Sequence, residues 1–195
     1  LKNNFFIEMH SLSSTNAKIR RQFKIFRKVS GVITVTQTMK DILLEAGFSE
    51  ESVFVEADAV DLGVFSGVGT KANARKALSL PQKAKIMSFV GNFHTKGNEK
   101  GIPEIIQAAS LVTKALPQAE FYFVGGPLER EKKYTKIAKD CSCPLKKIHF
   151  YGRQPLINIP LWLSASDILL MPHPQSEFYA LCVSPLKMFE YMTSG

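Results

Sequence analysis

The chain is poor in cysteine, and the three it has, Cys141, Cys143 and Cys182, are an odd number. Cys141 and Cys143 form a C-x-C with no second pair to complete a four-ligand metal set; His149 is the nearest imidazole. We therefore expect reduced, structural cysteines, no metal site and a cytoplasmic location. No apolar run reaches the ~18 residues that a membrane helix needs. The stretch from Leu1 to His10 lacks a charged segment followed by a cleavage site, so no signal peptide is expected. The phosphate loop G-x-x-x-x-G-K-S/T is absent, which excludes a P-loop NTPase. No G-x-G-x-x-G follows a strand, so a dinucleotide site of that type has no support. H-E-x-x-H and G-x-S-x-G are missing as well.

What remains is ample for a fold. The 195 residues are 45% hydrophobic, enough for one large domain or one and a half ordinary ones. The net charge is +8 and lopsided: residues 1–66 carry 8 basic and 8 acidic side chains, leaving 17 and 9 for the rest. A basic second segment suits an anionic ligand such as a nucleotide, a phosphorylated sugar or a lipid headgroup. Nucleic acid is disfavoured, because no recognition motif and no interleaving of aromatic with basic residues is present.

Strand-like and helix-like segments alternate. Strands are predicted over 5–9, 31–36, 52–57, 84–90, 120–124, 148–151 and 167–171 from β-branched and aromatic runs. Helices are predicted over 14–28, 38–46, 71–80, 103–116, 129–140, 158–165 and 184–194. Gly47 suits the end of the second helix, Pro81 the end of the third, and Pro103 the first turn of the fourth. Ser184 is the expected N-cap of the last helix, with Pro185 at its first position. The Gly- and Asp-rich stretch Asp58–Thr70 reads as a linker. Alternation of this kind predicts an α/β protein with parallel sheets, whose ligands bind at the carboxyl ends of the strands. Those ends carry Gly91, Gly125-Gly126, Gly152 and Pro172-His173-Pro174, and glycine lets a ligand approach the backbone.

These pieces, in this order, resemble the retaining, GT-B-fold glycosyltransferases (group 1, or family 4-like). Gly31-Val-Ile-Thr-Val-Thr36 resembles the end of the family's N-terminal domain, and Asp58-Ala-Val-Asp61 with Phe65 its interdomain N-G-V-D-x-x-x-F. Ser88-Phe-Val-Gly91, Lys100-Gly101 and Ile105-Ile-Gln-Ala108 resemble its phosphate-loop stretch. Phe121-Tyr-Phe-Val-Gly-Gly126, His149-Phe-Tyr-Gly152 and Ser166-Asp-Ile-Leu-Leu-Met-Pro172 resemble three further strand ends. Ser184-Pro-Leu-Lys-Met-Phe-Glu-Tyr-Met192 resembles the S-P-L-K-x-F-E-Y-M branch. The resemblance covers nearly the whole chain. It implies an incomplete Rossmann-like N-terminal piece, residues 1–60, and most of a Rossmann-like donor-binding domain, residues 61–195, lacking its last strands. Family members run to about twice this length, so the expectation is a chain truncated at both ends that turns over little by itself.

The resemblance also implies roles. Lys100 is the expected diphosphate cation, with Lys96 the alternative. Glu190 would accept hydrogen bonds from ribose hydroxyls, since one carboxylate can take both of a vicinal pair. A second family glutamate falls on Cys182, and Glu177 is offset from that spacing. His10 would touch the donor sugar. Gly91, Asn92, Gly125, Gly152, Arg153, Ser184, Pro185, Leu186 and Lys187 complete the nucleotide-sugar site, although the family usually has arginine where Asn92 stands. The implied activity is sugar transfer from a nucleotide diphosphate-sugar to a glycan, lipid-linked or small-molecule acceptor. Retention of configuration, no metal and no cofactor are expected, with peripheral contact to the anionic inner face of a membrane. The alternatives are a non-catalytic nucleotide-sugar-binding module and a sugar-nucleotide epimerase on the same fold.

Overall fold

The computed structural model describes residues 5–11, 23–24, 26, 28–65, 67–95, 98–173, 179 and 184–194. It divides into two compact units: Leu1–Ala59 with Gln175–Leu186, and Val60–Pro174 with Lys187–Gly195. Among the described residues, the first unit holds a three-stranded sheet and the second a four-stranded sheet and a two-stranded hairpin.

In the first unit, β1 (Phe6–Met9), β2 (Gly31–Thr34) and β3 (Val53–Val55) form a parallel sheet with β2 in the centre. The expected second strand stops at Thr34 because Thr36 turns the chain: its hydroxyl accepts the Met39 N–H (3.2 Å) and caps α1 (Gln37–Glu45). Gly47 ends that helix with φ 87°, and the Gly47 and Phe48 N–H groups bond back to Leu44 and Leu43, closing a Schellman turn. Met39 and Leu43 on one face of α1 are buried against Met9, Val32 and Val53. Most of the helix expected over 14–28 lies outside the described residues.

The second unit opens with a short helix, α2 (Leu62–Phe65), inside the stretch expected to be plain linker. Asp61 starts it by accepting the Gly63 N–H at 2.8 Å. Helix α3 (Lys71–Ala77) ends three residues before the expected Leu80. Ser79 takes φ 55°, and the Leu80 N–H bonds to Arg75, so a left-handed turn ends this helix before Pro81 can. The sheet has strand order β8-β7-β4-β9 and is parallel throughout: β4 (Lys85–Val90), β7 (Ala119–Val124), β8 (Ile148–Tyr151) and β9 (Ile168–Leu169). β9 is shorter than the expected 167–171, although the Asp167 and Leu170 N–H groups on either side of it still bond to Ile86 O and Ser88 O of β4 (2.8 and 2.7 Å). The loop after β4 contains a small hairpin, β5 (His94–Thr95) with β6 (Asn98–Glu99), where only loop was expected.

Both faces of this sheet are covered, which is why its strands read as nearly continuous apolar runs. Phe89, Phe121 and Phe123 pack under α4 (Ile102–Ala115) and α5 (Glu131–Asp140). Ile86, Tyr122 and Val124 pack on the other side against α3 and α6 (Ile159–Ala165). Helix α7 is Leu186–Met192, shorter than the expected 184–194. Ser184 is not where its capping role was expected: its hydroxyl accepts the Asp58 N–H at 2.9 Å, within the first unit. No helix among the described residues is long and apolar enough to cross a membrane.

Candidate functional site

The carboxyl ends of β4 and β7 lie level, since the two strands pair in register from Lys85↔Ala119 to Val90↔Val124. Each is followed by a glycine. The Gly91 N–H bonds to Val124 O (2.8 Å), and the Gly125 N–H is shared between the Tyr151 and Gly152 carbonyls (3.1 and 3.2 Å). The three strand-end glycines expected from sequence therefore meet in one backbone cluster. Gly125 has φ 102°, and a Cβ there would come within 2.9 Å of Gly91 O. Arg153, beyond Gly152, is exposed, as is Asn92, whose Oδ1 accepts the His94 N–H only at 3.4 Å.

The loop after Gly91 is anchored by Phe93, buried at 2% exposure and edge-on to Phe89, Phe123 and Tyr134. Gly126 makes room for that ring; a Cβ there would lie 2.1 Å from it. The Lys100 N–H then bonds to Phe93 O (2.9 Å), returning the chain to the strand ends just before α4. A Cβ on Gly101 would come within 2.7 Å of Pro172, so the Lys100 segment runs directly against Pro172-His173.

Helix α7 supplies the other side. Lys187 and Glu190 share a face at i, i+3 spacing. The Lys187 ammonium sits 3.4 Å from the centre of the Phe89 ring and where a side chain on Gly91 would have to go, 2.8 Å from its Cβ. Tyr191 ties the helix down: its hydroxyl accepts the Val90 N–H (2.8 Å) and donates to Val90 O (3.0 Å). Tyr191→Phe should cost about 1–3 kcal/mol by leaving a buried N–H without a partner. Chemical denaturation would show it, and an unchanged midpoint would mean that the helix is held by packing alone.

The four ionisable groups here perturb one another. Burial lowers the Lys187 pKa to about 7, the Lys100 charge pushes the same way, and Glu190 opposes both. Burial lowers the Lys100 pKa too, again against Glu190. Burial raises the Glu190 pKa, with Lys187 and Lys100 pulling it back. The His173 pKa is lowered by burial and by the two lysines. A partly dehydrated cluster of this kind, with two lysines and one carboxylate, is suited to an anion that also offers hydroxyls. His173 was read from sequence only as part of a strand end, and Phe89 not as a site residue at all. A partnership between Phe89 and a lysine 98 positions later leaves no local pattern.

Other expected site residues are placed elsewhere in the division. His10, Ser184, Pro185 and Leu186 belong to the first unit, where His10 Nε2 is 3.1 Å from Glu8 and Nδ1 3.9 Å from Asp58. Lys96, Glu177 and Cys182 lie outside the described residues. Cys141 and Cys143 are free thiols, and burial raises the Cys143 pKa, as suits a structural residue. Among the described residues, no group of three or more His, Cys, Asp or Glu could hold a metal ion.

Residues 84–195 match the family model for glycosyl transferases group 1. The chain belongs to that family. It is 27% identical over 154 residues to the 2-deoxystreptamine glucosyltransferase of Streptomyces kanamyceticus, covering 77% of this chain and 38% of that protein. With the D-inositol 3-phosphate glycosyltransferase of Corynebacterium urealyticum it shares 24% identity over 188 residues, 91% of this chain and 43% of the relative. The chain thus spans less than half the length of these two curated relatives. Solved structures with a similar fold include Anabaena Alr3699/HepE in complex with UDP and glucose (TM-score 0.67, 18% identity, 99% of this chain and 51% of that one). The sucrose-phosphate synthase of Thermosynechococcus elongatus is another (TM-score 0.73, 19% identity, 100% and 49%). The fold is therefore α/β of the GT-B type, with Rossmann-like parallel sheets.

Proposed function

We propose that the second unit binds the nucleotide diphosphate-sugar donor of a glycosyltransferase, and that the sugar passes to its acceptor with retained configuration and without a metal. The observation that carries this is the meeting of Lys100, Lys187 and Glu190 at the glycine-lined ends of β4 and β7. Bond breaking in such a donor puts charge on the leaving diphosphate. Fixed cations in a dehydrated site stabilise that charge more than water would. In this reading Lys100 and Lys187 meet the phosphates, and Glu190 accepts from the ribose hydroxyls. The backbone at Gly91, Gly125, Gly152 and Arg153 borders the nucleotide, Asn92 lines the entrance, and Ser184-Pro185-Leu186 leads into α7. The acceptor is a glycan or a lipid-linked or small molecule, and the excess of basic residues after Phe65 favours a protein that works in the cytoplasm against an anionic membrane face.

Calorimetric titration with UDP and with GDP tests the donor site. Lys100→Ala should weaken whichever binds by about 1–3 kcal/mol, the range for hydrogen bonds to a charged group. Equal affinity of the two proteins would remove Lys100 from the site. Donor consumption in the presence of a chelator, against a panel of acceptors, tests the transfer and its independence of metal; transfer abolished by the chelator would overturn the metal-free part.

A further inference from the structure

The Lys187 ammonium is an unusual object for a protein interior. Its nitrogen is buried and makes no hydrogen bond among the described residues. An ammonium has three donors, and burying it without acceptors costs several kcal/mol. The face of Phe89, at 3.4 Å, returns only about 2 kcal/mol even when dehydrated. The charged groups that act on it from the surrounding elements are Lys100 on the loop before α4, His173 after β9 and Glu190 one turn along α7. Lys100 opposes the charge. Glu190 favours it, but no hydrogen bond to the Lys187 nitrogen forms. The group is thus held next to the Gly91 backbone with its positive charge poorly compensated.

Resting on the nucleotide reading above, we propose that the donor's diphosphate completes this site by drawing a proton from solvent onto Lys187, so that binding is accompanied by proton uptake and weakens as the medium becomes alkaline. The neutral amine gains one proton, no covalent bond to the ligand forms, and the charge gained faces the phosphate oxygens. The direction follows from the two states. Without ligand Lys187 loses its proton near pH 7, as burial and Lys100 dictate. With a phosphate anion beside it the proton is held to higher pH. Between those two values the complex binds more protons than its parts. Affinity should therefore be flat below about pH 7 and fall about tenfold per pH unit above it, until the value in the complex is reached.

The experiment is calorimetric titration of UDP and GDP into the chain at about pH 8, in Tris and in HEPES, whose ionisation heats differ; the free nucleotide's terminal phosphate is already ionised there. The expected result is a buffer-dependent heat corresponding to uptake of most of one proton. Lys187→Arg, permanently charged, should bind without uptake and with an affinity independent of pH. Lys187→Met should bind at least tenfold more weakly, also without uptake, and it keeps the test available if arginine cannot be accommodated. His173→Asn should leave the uptake intact. Binding with no buffer dependence would overturn the inference while leaving the nucleotide site standing. Uptake that persists in Lys187→Met, or disappears in His173→Asn, would overturn the assignment to Lys187. Failure of either nucleotide to bind would remove the nucleotide reading, and this inference with it.

Discussion

Replacing Arg75 by methionine is expected to cost the second unit about 3–5 kcal/mol, the usual penalty for removing one partner of a buried ion pair. Arg75 is 4% exposed, and every polar face of its guanidinium is used. Nε donates to Ala165 O (2.8 Å), one terminal nitrogen to Gln82 O and Ala84 O (2.9 and 3.1 Å), and the other to Asp167 (2.7 Å). Asp167 in turn accepts the Ile86 N–H (2.8 Å) and the Lys71 ammonium (2.9 Å). The pair fastens α3 to the start of β4 and to the turn before β9. Removing the arginine takes that donor from three carbonyls and leaves Asp167 with only the Ile86 N–H and Lys71. Lys71→Ala should cost less than about 1 kcal/mol, because that ammonium is half exposed. The acid response should separate the variants as well. Burial alone would raise the Asp167 pKa, but the bonds from Lys71, Ile86 and Arg75 outweigh it and hold the value at about 2. A depressed carboxylate stabilises the fold fully above its unfolded value and loses that contribution as pH falls through the folded one. In Arg75→Met the folded value rises, so acid unfolding should begin at higher pH. Urea titrations at neutral pH and an acid titration followed by circular dichroism check both statements; an Arg75→Met no worse than Lys71→Ala would make the pair ornamental.

Asp167 shows where reading from sequence reaches and where it stops. Its place in Ser166-Asp-Ile-Leu-Leu-Met-Pro172 is legible as a strand entry, because the apolar run behind it is continuous. Its work is not legible, because Arg75 stands 92 positions earlier in a helix where nothing local sets it apart from the neighbouring Lys76. Strand order has the same limit: the alternation predicts parallel strands, and only the fold sets β9 beside β4. Local chemistry explains most shifts of element ends. Thr36 caps a helix and so shortens a strand; Ser79 and Ser142 take positive φ, a role sequence reading reserves for glycine or asparagine, the first ending α3 early and the second following α5 at its expected end, Asp140. Of the candidate site, Lys100 and Glu190 came from the resemblance of their motifs to those of the family. The pressure that Lys100 and Glu190 exert on Lys187, and the two lysines on His173, depends on burial, which no spacing encodes.

Gly125→Ala should be among the more damaging small substitutions in the second unit, costing about 2–5 kcal/mol. The left-handed backbone, φ 102°, contributes about 1–2 kcal/mol of that. The remainder is collision. The new methyl would lie 2.9 Å from Gly91 O, 3.0 Å from Gly91 C and 3.2 Å from its Cα. All three are backbone atoms, so no side chain can swing aside, and overfilling of this kind typically costs ~1–3 kcal/mol. Relief requires the ends of β4 and β7 to part, at the expense of the Gly91 N–H bond to Val124 O (2.8 Å). Gly67→Ala is the control: its φ is 83°, but nothing lies within 4 Å of the added methyl, so it should pay the backbone part alone. Because Gly91 underlies the Lys187 ammonium, the same displacement should also weaken UDP or GDP at temperatures where the variant remains folded, and Gly67→Ala should not. Denaturation curves and titrations on the two variants decide the matter. Equal, mild losses of stability and unchanged affinity in both would show that the strand ends yield without cost, and that the glycine cluster is not what holds the site together.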